Sequence, residues 1–196
     1  ASLRGEFPSK ETINEEFLGP KFSASEIETA LERYPEICFH HLTEEELITT
    51  VANQLAENKV VGWFRGRMEF GPRALGNRSI LASPMSPDMK QVLNLKIKKR
   101  EGFRPFAPVV LTEAFDRYFI DAGYDYSRML YVAQTRDSAT TIPSCVHEDG
   151  TSRVQRLEKN FNEPLYRLLE EMERQTGLPV LINTSFNERG EPVVCT

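Results

Sequence analysis

Cysteine is scarce in this 196-residue chain, and the three present, Cys38, Cys145 and Cys195, are odd in number, far apart and never arranged as CxxC. That pattern argues against a disulfide framework and a zinc site, and it predicts reduced thiols in a cytoplasmic protein. Histidine is equally sparse, with His40, His41 and His147. His40 and His41 are neighbours, so on a strand they face opposite sides and cannot chelate together; a structural role is expected. No apolar run approaches the roughly 20 residues of a membrane span. The first residues lack the charged-then-apolar pattern of a secretory leader. Excess positive charge is missing too: a net charge of −5 and a pI near 5.4 argue against broad nucleic-acid coating. There is no internal repeat and no low-complexity segment.

What positive charge exists is concentrated. Arg65 to Arg104 holds ten of the 24 Lys and Arg residues against three acids, Glu69, Asp88 and Glu101, a local balance of +7 that leaves −12 for the rest. Such a stretch in an acidic protein points to an anionic ligand. Its arginines carry planar forks suited to phosphate and carboxylate oxygens.

Periodicity and punctuation predict a mixed α/β (α+β) fold in a single domain. Residues 1–22 lack hydrophobic periodicity and read as an interdomain linker or arm, with the domain spanning 23–196. Ser23 and Thr43 open helices, the second running to about Asn58 with Glu46 completing a capping box. Lys59–Phe64 and Ser79–Ala82 read as strands. Ser86-Pro87 begins a helix through Met89, Val92, Leu93 and Ile97. Further strands are expected at Pro108–Thr112, Leu130–Thr135 and Pro179–Asn183, with helices over Glu113–Ile120 and from Asn162 to Gly177.

Several runs carry candidate chemistry. Gly71-Pro-Arg-Ala-Leu-Gly76 has phosphate-loop glycine spacing, but Asn77-Arg78 replaces the required Lys-Ser/Thr, so it is not a Walker A motif. Either main-chain N–H groups approach a ligand there, flanked by Arg73 and Arg78, or the run is an ordinary turn. Lys98-Lys99-Arg100, with Arg104 held between prolines and phenylalanines, is either a ligand-binding cluster or a solvated helix end complementing the dipole. Asn183-Thr184-Ser185-Phe186-Asn187 follows a buried strand, as in nucleotide sites and in plain turns. His147 to Arg153 holds either an acid–base or metal-binding group or a hairpin turn through Asp149-Gly150.

Taken in order, Phe70–Ser79, Ile97–Pro108, His147–Arg153 and Leu181–Asn187 with Gly190-Glu-Pro192 closely resemble the C-terminal domain of the NodU/CmcH-type O-carbamoyltransferases. The resemblance runs from about Phe17 to Thr196. That domain in turn resembles the YrdC-like fold of threonylcarbamoyl-adenylate synthases, a mixed twisted sheet flanked by helices. The YrdC-like signature pairs Lys-x-Arg with Ser-x-Asn, and this chain offers Lys98-x-Arg100 and Ser185-x-Asn187.

The resemblance implies a carbamoyltransferase domain that binds ATP and carbamoyl phosphate and forms a carbamoyl-adenylate. By carry-over, Lys98, Arg100, Arg104, Ser185 and Asn187 are the catalytic set, with Thr184 joining the nucleotide contacts. Arg73, Arg78, Arg104, His147 and Arg153 are assigned to carbamoyl phosphate. Mg2+ is expected to accompany ATP, with no dedicated protein metal site. The family pairs this domain with an N-terminal actin-like ATPase-type domain, which carries a metal of its own and transfers the group to a hydroxyl acceptor. Nothing of it is visible here, and a fragment with the activation half-reaction alone is expected. The rival readings are a non-catalytic nucleotide-binding module and a double-stranded-RNA-binding domain; the net negative charge disfavours nucleic acid.

Overall fold

The computed structural model describes residues 16–196. The linker reading of residues 1–15 lies outside the described residues. Two capped helices come first: α1 (Ala24–Leu31) and α2 (Glu44–Ala56). Ser23 and Thr43 accept from the amides of Glu26 and Glu46, whose carboxylates accept in return from the cap amides. Ile48, Val51, Ala52 and Leu55 bury one face of α2, whereas α1 buries no residue.

Strands β1 (Val60–Phe64) and β2 (Arg78–Ala82) follow. Next come α3 (Met89–Gln91), which runs into a π-helical turn over Val92–Ile97, and β3 (Pro108–Leu111). Then come α4 (Phe115–Tyr118), β4 (Phe119–Ile120), β5 (Ala133–Thr135), β6 (Thr151–Ser152) and β7 (Gln155–Leu157). Last are α5 (Glu163–Thr176) and β8 (Val180–Ser185).

The main sheet has the order β1-β2-β8-β3-β7, antiparallel except for the parallel pair β3–β7; β4-β5-β6 form a second, antiparallel sheet. The chain is thus the mixed α/β domain expected. α5 and α2 pack together, and α5 also packs on the main sheet. Leu165, Leu168, Leu169 and Met172 of α5 share a core with Leu81, Val109, Val110, Val180 and Ile182. Each such side chain contributes roughly 1.5–3 kcal/mol on burial. Among the described residues, no helix is long and apolar enough to cross a membrane.

Three expectations need revision, and one strand had none. Residues 16–20 are built into the body: Gly19 donates to the Met68 carbonyl (2.9 Å), Phe70 donates to that of Glu16 (2.7 Å), and Phe17 is buried against Leu75, Ala107 and Met129. The helix expected over 113–120 forms as a 3-10 turn (Thr112–Ala114) running into α4, and it stops at Tyr118 because Phe119 is drawn into β4 against Thr135. The strand expected over 130–135 is only three residues long, its first three positions lying exposed. β7 was not anticipated, since its short, polar sequence Gln-Arg-Leu has no periodicity to read.

Candidate functional site

The turn before β2 is organised from within. Oε1 of the buried Glu69 accepts the amide protons of Leu75 (2.8 Å), Asn77 (2.7 Å) and Arg78 (3.1 Å). Three N–H groups that a phosphate loop would offer outward are therefore turned onto an internal carboxylate. Gly76 is needed at its position: φ is +113°, and a Cβ there would lie 2.5 Å from Leu165 Cδ2.

Arg78, assigned above to carbamoyl phosphate, is fully buried and lies away from the cation cluster. Its guanidinium donates to the carbonyls of Arg65 (2.7 Å) and Asn77 (3.0 Å) and lies 3.6 Å from the centre of the Phe64 ring. The assignment is corrected on that ground: as the first residue of β2 it turns inward onto β1, where carbonyl dipoles and a π-face stabilise its charge. Arg65 and Arg67 are structural as well, the first paired with Glu44 (3.0 and 2.7 Å) and the second donating to the Phe17 and Leu18 carbonyls.

The π-helical turn decides where the next cations go. Lys98 N–H reaches the Leu93 carbonyl at 2.8 Å, one residue further back than an α-helix allows, and Lys99 then takes φ +47°. These two distortions split three consecutive cations: Lys99 turns out to Glu188, while Lys98 and Arg100 turn in. Lys98 Nζ donates toward the Ser185 carbonyl (2.5 Å) and hydroxyl (3.2 Å) and toward the Asn187 carbonyl (3.0 Å) and Oδ1 (2.9 Å). Lys98-x-Arg100 and Ser185-x-Asn187 therefore meet across nearly ninety residues of chain. The Ser185 hydroxyl donates to Asn187 Oδ1 (2.6 Å), and Asn187 Nδ2 donates to the Glu191 carbonyl (2.7 Å), which fixes that amide's orientation. Both polar side chains are thus committed to the ammonium. Among the described residues no carboxylate touches it, and burial, helped by Arg100, pushes its pKa down to about 8.

Arg100 is anchored by a residue that our sequence reading missed. Asn94, fully buried on the apolar side of the same turn, accepts from Arg100 Nε (2.7 Å) and donates to the carbonyls of Gly102 (3.2 Å) and Arg104 (2.8 Å). The guanidinium lies 4.8 Å from the centre of the Phe106 ring. A polar side chain amid Val92, Leu93 and Ile97 was the available signal, since buried polar groups carry more information than buried apolar ones.

Arg73, Arg100, Arg104, His147 and Arg153 line one cavity of about 570 Å³, floored by Ala107 and Asn183. A smaller lobe of about 250 Å³ shares Arg100, Arg104, Thr184 and Ser185 with it and adds Lys98 and Arg189. Only four of the ten cations between Arg65 and Arg104 reach these walls, and Arg153 joins them from the segment before β7. Their sole ion pair with an acid among the described residues is the 3.7 Å contact of exposed Arg104 with Glu101. Burial lowers the pKa of Arg100 and of Arg153; Arg104 adds to the effect on Arg100, and Arg73 and then Arg100 to that on Arg153. Unbalanced cations in a shared hollow favour an anion with several oxygens.

His147 faces the same cavity within the expected hairpin turn. Its Nδ1 lies 2.9 Å from Thr151 Oγ1, and Gly150 N–H donates to its carbonyl (3.0 Å). Burial lowers its pKa, opposed by Asp149, which favours the neutral ring as a hydrogen-bonding wall.

The fold thus places a cation-lined hollow at the end of β8, an arrangement suited to anions with several oxygens. Residues 52–196 match the family described as Carbamoyltransferase C-terminus, and the chain belongs to that family. Nodulation protein NolNO of Sinorhizobium fredii is 37% identical over 97% of this chain and 28% of its own length. Nodulation protein U of the same species is 44% identical over 73% of this chain and 25% of its own. An uncharacterized Synechocystis protein is 43% identical over 92% of the chain and 33% of its length. The chain thus spans between about a quarter and a third of these relatives. The crystal structure of full-length HypF in its phosphate- and nucleotide-bound form covers 74% of this chain and 21% of its own, with a TM-score of 0.50 at 19% identity. That likeness concerns the fold and agrees with the expected YrdC-like mixed sheet.

Proposed function

We propose that this chain is the carbamoyl-activating domain of an O-carbamoyltransferase, which uses carbamoyl phosphate and ATP to make a carbamoyl-adenylate. The supporting observation is the cavity in which Arg73, Arg100, Arg104 and Arg153 converge without buried acids, continuous with a lobe holding Lys98. Carbamoyl phosphate occupies the larger hollow, its phosphate oxygens among Arg73, Arg104 and Arg153, with His147 at the wall. Water cleaves it to carbamate and inorganic phosphate. A carbamate oxygen then attacks the α-phosphorus of ATP, the bond to the β-phosphate oxygen breaks, and pyrophosphate leaves.

Lys98 and Arg100 hold the triphosphate at the lobe, near Thr184. Negative charge builds on the equatorial oxygens during transfer, and cations fixed in advance stabilise it more than they stabilise the ground state. Ser185 and Asn187 act by positioning Lys98, which they hold through four acceptors. Magnesium would accompany the triphosphate and supply charge neutralisation there. Transfer to a hydroxyl acceptor falls to another domain of the longer protein.

The test is carbamoyl-phosphate-dependent exchange of pyrophosphate into ATP. Exchange by the chain, abolished in Arg100→Ala, supports the proposal; exchange unchanged in Lys98→Ala and Arg100→Ala refutes the assignment. Nucleotide binding with no exchange at any carbamoyl phosphate concentration makes the chain a binding module.

A further inference from the structure

Buried polar side-chain atoms are almost always paired, so the exceptions on a cavity wall point to a ligand. Two residues lining the large cavity carry such an atom among the described residues: Arg153, whose Nε is a donor, and Asn183, whose Oδ1 is an acceptor.

The orientation of Asn183 follows from its neighbours. Gln155 Nε2 donates to the Leu75 carbonyl (3.1 Å), which can only accept, so Gln155 Oε1 is turned to Asn183. Asn183 Nδ2 then donates to Gln155 Oε1 (2.7 Å) and to the Ala74 carbonyl (3.2 Å). Both of its protons are used, and Oδ1 is left over by elimination. A flipped amide would set two carbonyl oxygens against it and lose both bonds.

Sheet register brings the two orphans to one row. β3 pairs Pro108 with Ile182 and Val109 with Gln155, so one step back from Pro108 and two from Val109 put Ala107 between Asn183 and Arg153. The Asn183 amide donating to the Ala107 carbonyl (2.9 Å) confirms that step. Ala107, with only a methyl group, leaves the space between them open. Donor and acceptor on either side of a small residue match the carbonyl and NH2 of one primary amide. Arg153 has no hydrogen bond or ion pair among the described residues and is the part free to shift as a ligand enters.

We propose that Asn183 Oδ1 accepts a hydrogen bond from the NH2 of the carbamoyl group while Arg153 donates to its carbonyl, so that Asn183 is the specificity residue for an amide over a methyl group. This rests on the carbamoyl phosphate reading above. Arginines alone would hold any acyl phosphate; a fixed, dry acceptor rejects a group with no proton to offer.

The experiment titrates the chain with inorganic phosphate, carbamoyl phosphate and acetyl phosphate, in which a methyl replaces the NH2. Carbamoyl phosphate is expected to bind about 10- to 100-fold more tightly than acetyl phosphate, the worth of one buried hydrogen bond. In Asn183→Ala the preference falls below about threefold while phosphate affinity holds, as it must if only the amide contact is lost. If that variant does not fold, Asn183→Leu, which is similar in size and offers no acceptor, makes the same test. Equal affinity for the two acyl phosphates overturns the inference and leaves the functional reading standing. So does a folded variant that keeps the preference. Failure to bind phosphate or carbamoyl phosphate at all overturns both.

Discussion

Replacing Asn94 by leucine tests whether the arginine cluster is held by the π-helical turn. The side chains are similar in size, so the perturbation removes polarity at a site with no solvent exposure. Three contacts go: two bonds to the carbonyls of Gly102 and Arg104, and one accepted from the Arg100 guanidinium. At about 1 kcal/mol for each neutral bond and about 1.5–3 for the charged one, an upper figure near 5 results. The two carbonyls lie in a partly exposed loop that water can reach, so a loss of about 2–3 kcal/mol is expected. Urea denaturation reads it as a lower midpoint with unchanged slope. Arg100 also loses its tether, and phosphate binding by titration calorimetry weakens about tenfold or more, the equivalent of 1.4 kcal/mol. A variant within about 0.5 kcal/mol of the parent that binds phosphate equally well would refute the reasoning, because surface-like substitutions fall in that range.

Other expectations follow from the same contacts. Lys98→Met should abolish ATP binding yet cost little stability at pH 7, since it removes a buried charge faced only by neutral acceptors. The folded Lys98 pKa near 8 lies below its ordinary 10.5, so the unfolded chain holds the proton more tightly. Stability of the parent, measured against Lys98→Met, should therefore rise from pH 8 to 10.5 and be flat below, while anion affinity falls over the same window. A flat affinity profile from pH 7 to 10 would contradict the role of Lys98. Glu69→Gln keeps one acceptor oxygen but loses the charge that three amides share, and thermal melting should show a loss of about 1.5–3 kcal/mol, the range for hydrogen bonds to a charged group. Arg78→Met should lower the melting temperature and leave phosphate affinity within about twofold, which separates it from Arg73→Met and Arg153→Met. Cys145 is fully buried, and burial raises its thiol pKa well above the ordinary value; only Cys38 and Cys195 should react with a thiol reagent in the native protein.

Local signals carried much of the fold into the sequence. The helix start at Ser23, the capping box at Thr43, the apolar face of α5 with its Gly177 stop, and the β-branched run of β1 were readable because each is encoded within a few residues. The convergence of Lys98-x-Arg100 with Ser185-x-Asn187 was legible only through resemblance, since their contact is made by the π-helical turn and the end of β8. Composition misled at Arg78, because a cation beside a glycine-rich turn looks the same whether it faces solvent, ligand or an internal ring of carbonyls. Asn94 and Gln155 are ordinary polar residues in the sequence, and Asn183 is legible only as the start of a polar run after the last strand. Their meaning lies in burial and in who accepts from whom, which spacing along one chain does not encode.

Isotope exchange between pyrophosphate and ATP, with and without carbamoyl phosphate, tests the central claim most directly. The account predicts exchange that requires carbamoyl phosphate, is lost in Arg100→Ala and weakens as pH rises above about 8, the value to which burial pushes Lys98. Exchange that proceeds equally without carbamoyl phosphate, or survives intact in Arg100→Ala, would contradict it.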